Sequence, residues 1–165
     1  MAKTVDEVTE KAVREGGVLI NLYFDMHGNS KEVIQNSLVE MIAKLTHEPG
    51  VIYATGVIEE PMEVNGLQCT CAEVKVLAKN FNTLVNVSFR YGPIGLEIVK
   101  PDELKLSTRE VQDALLNISQ TTQEYTTYIL DKVMNEEEKI AFKKQLLNRA
   151  EVAKKLLEKG KGVKK

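Results

Sequence analysis

The chain has 165 residues, of which 43% are hydrophobic and 28% charged, so it can bury the core of one domain, or of one small domain with an appendage. Its formal net charge of −2 gives no overall attraction to nucleic acid or to acidic membranes. No apolar run has the length of a membrane span, the N-terminus is too polar for a secretory signal, and two cysteines make no disulfide framework. We therefore expect a cytoplasmic protein.

The first 16 residues predict a short helical lead-in. Apolar residues follow Thr4 at helical spacing, Thr4 can cap the helix, and Gly16 and Gly17 can end it. A nearly continuous apolar run over residues 17–27 comes next. Such a run is typical of a central strand that is covered on both faces, and it predicts the first strand of a sheet.

A helix and a hairpin are predicted after this strand. Apolar residues recur at intervals of three and four after Ser30, a candidate cap, and Pro49-Gly50 ends the pattern. Asn65-Gly66 is the strongest turn signal in the chain, because a two-residue hairpin turn needs positive φ at both positions. The turn joins a second predicted strand to a third one.

The third predicted strand covers residues 67–78 and alternates in character. Alternate side chains of a strand point to opposite faces of the sheet. The face assigned to the core carries Ala72, Val74 and Val76, and the other face carries Cys69, Cys71, Glu73 and Lys75. A short helix over residues 81–90 and a fourth strand over residues 94–100 complete the pattern.

The order strand, helix, strand, strand, helix, strand over residues 17–101 predicts an α+β domain: an antiparallel sheet with helices on one face. This β-α-β-β-α-β order resembles the ferredoxin-like, split-βαβ architecture. Among ferredoxin-like families it is most similar to ACT-type regulatory domains, which also place an Asp and a Gly between the first strand and the first helix. Here these are Asp25 and Gly28, and His27 stands where that family usually has a proline. The resemblance implies a regulatory domain that binds a small ligand.

Residues 102–165 have a different character and predict two long helices, an αα-hairpin with a basic tail. Ser107 and Glu110 form a capping-box pattern, and Asn135 is again followed by an acid three residues later. An apolar seam on the first of these helices alternates intervals of four and three. Its members are Val111, Leu115, Ile118, Thr122, Tyr125 and Ile129.

The junction between the first strand and the next helix is the candidate ligand site. Backbone N–H groups at a helix N-terminus attract a carboxylate or a phosphate, and ligands often bind at such junctions. The candidate residues for a small anionic ligand are Asp25, His27, Gly28, Asn29 and Ser30. A plain capping turn beside an exposed histidine explains the same residues without any ligand.

Cys69 and Cys71 point to the same side of one strand, so with His27 they are the candidates for a metal site or for an enzyme that uses the open sheet face. The commoner arrangement is two small apolar residues under a helix or in a subunit interface. The sequence contains no catalytic triad order, H-E-x-x-H or C-x-x-C motif. We therefore assign no catalytic residue, metal or cofactor and favour a non-enzymatic protein, with an enzyme or metal-binding protein that uses these three residues as the alternative.

Partners are predicted from the sheet face that the helices leave uncovered. An exposed apolar face normally finds a partner, so we expect a homo-oligomer, formed through the sheet face or the C-terminal helices. The third strand carries no aromatic residue on which RNA bases would stack, which argues against nucleic-acid binding by the sheet. The basic stripe over residues 149–165 leaves an RNA-associated factor as an alternative.

Overall fold

A computed structural model describes residues 4–161, with the side chains of 146, 149, 150 and 153–161 left aside. The elements in chain order are α1 (Val5–Arg14), β1 (Val18–Gly28), α2 (Lys31–Thr46), β2 (Val51–Ile58), β3 (Met62–Val64), β4 (Leu67–Ala78), α3 (Phe81–Tyr91), β5 (Gly95–Lys100), α4 (Thr108–Val133) and α5 (Glu136–Lys161). The predicted α+β class, with two long C-terminal helices, is confirmed.

The strands form one antiparallel sheet in the order β2-β4-β1-β5. β1 and β4 are the two central strands, and they pair over their whole lengths, from Val18 opposite Ala78 to Gly28 opposite Gln68. The short strand β3 also pairs with β4, at the end of β4 that β2 does not reach. The third predicted strand is therefore a central strand of the sheet.

The main core lies between the sheet and the two helices α2 and α3. Alternate residues of β1 are fully or almost fully buried on this face, from Val18 to Phe24. They pack with Val74 and Val76 of β4 and with Leu38 of α2. Burying a side chain of this size stabilises the fold by roughly 1.5–3 kcal/mol. This face therefore supplies most of the apolar burial that holds the sheet to its helices.

α1 packs against the opposite face of the sheet. Its Ala12 lies in a second buried cluster with Leu19 of β1 and Leu77 of β4. Thr4 and Glu7 form a capping box at its start, with the Glu7 amide 3.3 Å from the Thr4 hydroxyl oxygen. The predicted lead-in is thus a docked helix, and it covers one end of the face that α2 and α3 leave open.

The turn signals behave as predicted, whereas one apolar position does not. Asn65 and Gly66 have φ angles of 52° and 80°, as the predicted hairpin turn requires. Val33 was expected on the buried face of α2, but 63% of it is exposed. The buried stripe of α2 includes Ile34 and Leu38, and Val33 lies roughly 100° around the helix from Ile34.

The chain divides into two compact units, Met1–Ser119 and Gln120–Lys165. In the first unit, Ala114 of α4 is buried, and the Asn117 side-chain amide donates to the side-chain oxygens of Asn82 and Asn86 on α3. No helix within residues 4–161 combines the length and the apolar character needed to cross a membrane.

In the second unit, Asn135 and Glu138 cap the start of α5 reciprocally, with each amide nitrogen 2.9 Å from the other residue's side-chain oxygen. This is the arrangement that the sequence pattern at Asn135 predicts. Lys139 lies 3.6 Å from Asp131 of α4 and 3.0 Å from Glu136.

Candidate functional site

The sheet face opposite α2 and α3, here called the reverse face, has three zones. Residues directly opposite each other in an antiparallel pair share a face, so the register assigns each side chain to its zone. Leu19 and Leu77 form the end that α1 covers. A polar centre follows, and a sulfur-containing apolar end lies beside the β3–β4 turn.

The polar centre contains Asn21, Tyr23, Glu73, Lys75 and Glu97, which the register places in adjacent pairs. The Tyr23 hydroxyl donates to Glu97 Oε2 over 3.3 Å. Burial, followed by the negative charge of Glu73, raises the pKa of the Tyr23 phenol. Glu73 and Lys75 thus lie on the face to which the sequence assigned them, and with Glu97 they make this zone charged and not apolar.

The apolar end is here called the hairpin patch, and it lies where β2 and β3 pair with β4. Its side chains share the reverse face by register, and each is at least partly exposed. They are Val57, Met62, Val64, Leu67, Cys69 and Cys71. Val57 and Met62 are 66% and 64% exposed. The expected uncovered apolar surface exists at this end of the reverse face.

Two of the predicted ligand residues border the hairpin patch. Asp25 is directly opposite Cys71, and His27 is directly opposite Cys69. His27 Nε2 lies 2.8 Å from Asp25 Oδ2, so the carboxylate orients the imidazole ring. Among the side chains that the structure describes, no three of His, Cys, Asp or Glu converge in a way that would hold a metal ion.

The other predicted ligand residues lie at the start of α2. Gly28 allows a close approach, since a Cβ atom there would lie 2.7 Å from Ile34 Cγ2. Asn29 and Ser30 are exposed. Ser30 is the N-cap of α2, but among the described residues its hydroxyl makes no capping hydrogen bond. The register thus places Asp25 and His27 on the reverse face, while Asn29 and Ser30 follow the strand.

A further polar cluster joins the C-terminal ends of α2 and α3. Arg90 Nη1 donates to both carboxylate oxygens of Glu48, over 3.1 and 2.8 Å, and the Tyr91 hydroxyl donates to Glu48 Oε1 over 2.8 Å. Burial, together with this hydrogen bond, raises the pKa of Tyr91 to about 12. The sequence analysis did not find this cluster, because Glu48 and Arg90 are 42 residues apart and no local pattern links them.

A family model described as the MJ0538 family matches residues 19–160. This chain belongs to the MJ0538 family. Comparison with curated proteins found no match, and comparison with solved structures found none either. The family match begins at the second residue of β1 and ends just before the last residue of α5. The reverse face, the hairpin patch, α4 and all but the last residue of α5 in this MJ0538 family protein therefore lie within the matched region.

The helix α4 of this MJ0538 family protein exposes most of its predicted seam. Leu115 is 61% exposed in the first unit, and Ile129 is 57% exposed in the second. The position that α4 buries is Ala114, next to the seam. Glu124 is the one charged residue between Leu115 and Leu130. The basic stripe predicted over residues 149–165 lies mostly outside the described side chains.

Proposed function

We propose that this MJ0538 family protein is a non-enzymatic protein-interaction module that self-associates through α4. The observation that carries the proposal is the nearly uncharged stretch of α4 from Leu115 to Leu130, in which Leu116, Tyr128 and Ile129 are more than half exposed. A helix face in contact with water is normally rich in charged side chains. Half of the residues of α5 are charged, which makes α4 different from the other long helix of the same chain.

The composition of this stretch matches that of a buried contact. The cores of protein interfaces are depleted in charged residues and enriched in tyrosine and large aliphatic side chains. Exposed Leu116, Tyr128 and Val133 add to the apolar surface of α4 beside the seam. A standard interface buries roughly 800 Å² per partner, and a contact that runs along several turns of a helix of this length is of that order.

The spacing of the seam favours a second copy of the same helix as the partner. Alternating intervals of four and three residues bring one seam against another in a coiled coil. The positions that flank the seam decide which helices can pair, because like charges there would repel. These positions carry no charge in α4: they are Gln112, Ala114, Ser119, Thr121, Thr126 and Tyr128.

Light scattering coupled to size exclusion tests this proposal. We expect a dimer or a larger oligomer at micromolar concentration, and we expect Leu115→Glu and Ile129→Glu each to shift it toward the monomer. Thr127→Glu adds the same charge to the opposite side of α4 and should leave the mass unchanged. A monomeric wild-type chain, or equal effects of Ile129→Glu and Thr127→Glu, would contradict the proposal.

We also propose that the sheet is related to the ferredoxin-like architecture. In support, its four long strands follow the order β2-β4-β1-β5 with antiparallel neighbours, and α2 and α3 pack on one face. This is the arrangement implied by the strand and helix order of a split βαβ unit. The two cysteines, neither of them in a disulfide, suit the cytoplasmic setting that we propose for the protein.

A second candidate function is the binding of a small anionic ligand between β1 and α2. The Ser30 hydroxyl, which makes no capping bond in the described structure, favours it, because the first N–H groups of a helix need acceptors. A thermal-shift screen with amino acids and nucleotides is the test. We expect stabilisation by an anionic compound that is weakened in Ser30→Ala, whereas Ser37→Ala on the same helix retains it. No shift with any compound would exclude this candidate.

A metal-binding or enzymatic role for Cys69, Cys71 and His27 is the third candidate. The register that sets His27 opposite Cys69 favours it, because thiolate and imidazole are both ligands for soft metals. Metal analysis of the purified protein and of Cys71→Ser tests it. The role requires bound metal in the wild type and a loss of that metal in the variant.

A further inference from the structure

The hairpin patch combines apolar side chains with an excess of negative charge. Residues 56–74 include Glu59, Glu60, Glu63 and Glu73 but no lysine, arginine or histidine. Asp25 adds a carboxylate at the β1 side, opposite Cys71. Val57, which is directly opposite Glu73, and Met62 are each more than 60% exposed, whereas the register places Glu63 on the other face of the sheet. A binding partner for the hairpin patch therefore needs both basic groups and apolar side chains.

The C-terminal segment of the same chain has this complementary composition. Residues 152–165 include six lysines and one glutamate, and Leu156, Leu157 and Val163 supply apolar side chains. The whole chain has a net charge of only −2, but its charges are separated: residues 56–74 carry acidic residues alone, and residues 152–165 carry mostly lysines. Such complementarity steers two surfaces together and selects one partner over others.

We infer that the hairpin patch binds the basic C-terminal segment, residues 152–165, of a second copy of the chain. The inference rests on the self-association proposed above, which brings a second copy close and raises the effective concentration of its basic segment. The lysines pair with the glutamates around the patch, and the leucines cover Val57 and Met62. The contact is salt-sensitive, because its charged pairs lie at the solvent-exposed rim.

Disulfide trapping in the full-length chain tests this contact. Cys69→Ser leaves Cys71 as the one thiol of the patch, and Val163→Cys adds a thiol to the segment. Mild oxidation with diamide should then produce a covalent dimer on a non-reducing gel. We expect its yield to fall at least fivefold in 0.5 M NaCl and in Glu59→Lys/Glu60→Lys. Glu136→Lys/Glu137→Lys is a control with the same charge change away from the patch, and its yield should be unchanged.

Two further variants separate the other disulfides that diamide can form. Cys69→Ser alone measures dimers linked through Cys71 of both copies, and Cys69→Ser/Cys71→Ser/Val163→Cys measures dimers linked through the introduced thiols of both copies. Dimer yields in either variant that match the test variant would overturn the inference. A disulfide within one chain, seen as a faster-migrating monomer, would overturn the assignment to a second copy.

The outcome is distinguishable from failure of the proposed self-association. If light scattering shows an oligomer but Cys71 forms no disulfide with the thiol introduced by Val163→Cys, the docking of the basic segment is wrong and the α4 contact stands. If the chain is monomeric, both fail. Binding of a labelled RNA oligonucleotide that Lys154→Glu/Lys155→Glu abolishes, together with no disulfide trapping, would assign the segment to nucleic acid instead.

Discussion

At the scale of single residues, the Glu48 carboxylate joins two helices. Its side chain is only 18% exposed, and it accepts hydrogen bonds from Arg90 and Tyr91, two neighbours on α3. Both bonds from Arg90 come from its Nη1 atom, and a hydrogen bond between two ionised groups is stronger than one between neutral groups. Glu48 therefore ties the C-terminal end of α3 to the segment that follows α2.

Tyr91 should make the stability of the protein depend on pH in the alkaline range. The folded pKa of about 12 exceeds the ordinary value of 10.0, so the folded state favours the neutral phenol. This contribution is fully present below pH 10, and it is lost as the pH rises through 12. Urea unfolding at pH values from about 8 to about 11 should show a steeper loss of stability for the wild type than for Tyr91→Phe. Equal slopes would contradict the assignment.

At the scale of the elements, the β3–β4 hairpin turn depends on a local backbone conformation, the positive φ angle of Gly66. Gly66 has a φ angle of 80°, and no heavy atom lies within 4 Å of the position of an added Cβ. Any cost of a side chain at this position is therefore a cost of backbone conformation. Packing cannot offset this backbone cost, since an added Cβ atom at Gly66 would contact no neighbouring residue.

Gly66→Ala should lower the free energy of unfolding by about 1 kcal/mol, because only glycine adopts this φ angle without steric cost. Chemical denaturation measures the change. Asn65→Gly is the matched control, because it keeps a residue that allows positive φ, and it should change the stability less. A Gly66→Ala variant as stable as the wild type would show that the turn takes another form.

α1 is tied to the sheet by a second kind of contact besides Ala12. Lys100 of β5 lies 2.6 Å from Glu10 of α1, and this hydrogen bond together with the charge of Lys100 lowers the pKa of the Glu10 carboxyl. A lowered carboxyl pKa stabilises the folded state above the unfolded pKa of 4.5, and this contribution is lost as the pH falls below it.

Glu10→Gln should therefore reduce the difference in stability between about pH 6 and about pH 3, as measured by urea unfolding. We expect a small effect that shrinks at high salt, because both side chains are about half exposed. Glu15→Gln, at the end of α1, is the control, since its partner Lys11 lies on the same helix. A larger change in the control than in Glu10→Gln would show that this ion pair does not tether α1 to the sheet.

At the scale of the whole molecule, two of the described surfaces group exposed apolar side chains together. They concentrate at the hairpin patch and along α4. A contiguous apolar surface in water is the usual mark of an interaction site. The hairpin patch belongs to the first unit of the chain, whereas α4 has residues in both units, so the self-association that we propose draws on residues of both units.

The melting temperature should rise with protein concentration. Association stabilises the folded state by mass action, so a dimer melts at a higher temperature when it is more concentrated. Differential scanning fluorimetry over a range of roughly 1 to 100 μM measures this rise. Ile129→Glu should remove most of it, whereas Thr127→Glu should retain it. A melting temperature independent of concentration in the wild type would exclude a folding-linked oligomer.

Local patterns in the sequence determined the elements and their ends. The apolar run of β1, the alternation of β4, the Asn65-Gly66 turn and the capping pairs each depend on neighbours a few residues apart, and their physics is local. They predicted the α+β class, the central position of β1 and the two long helices correctly. The resemblance to ACT-type domains and the ligand residues at Asp25 and His27 stay predictions.

Only the tertiary structure decided which surfaces meet. Register set Cys69 opposite His27, gave the reverse face its polar centre and brought Glu48 to Arg90 across 42 residues. α1 packs on the face that α2 and α3 leave open. Most of the seam of α4 is exposed, whereas Ala114 beside it is buried. A sequence pattern shows that one face of an element is apolar, but it does not show which residues cover that face, because the covering residues are distant along the chain.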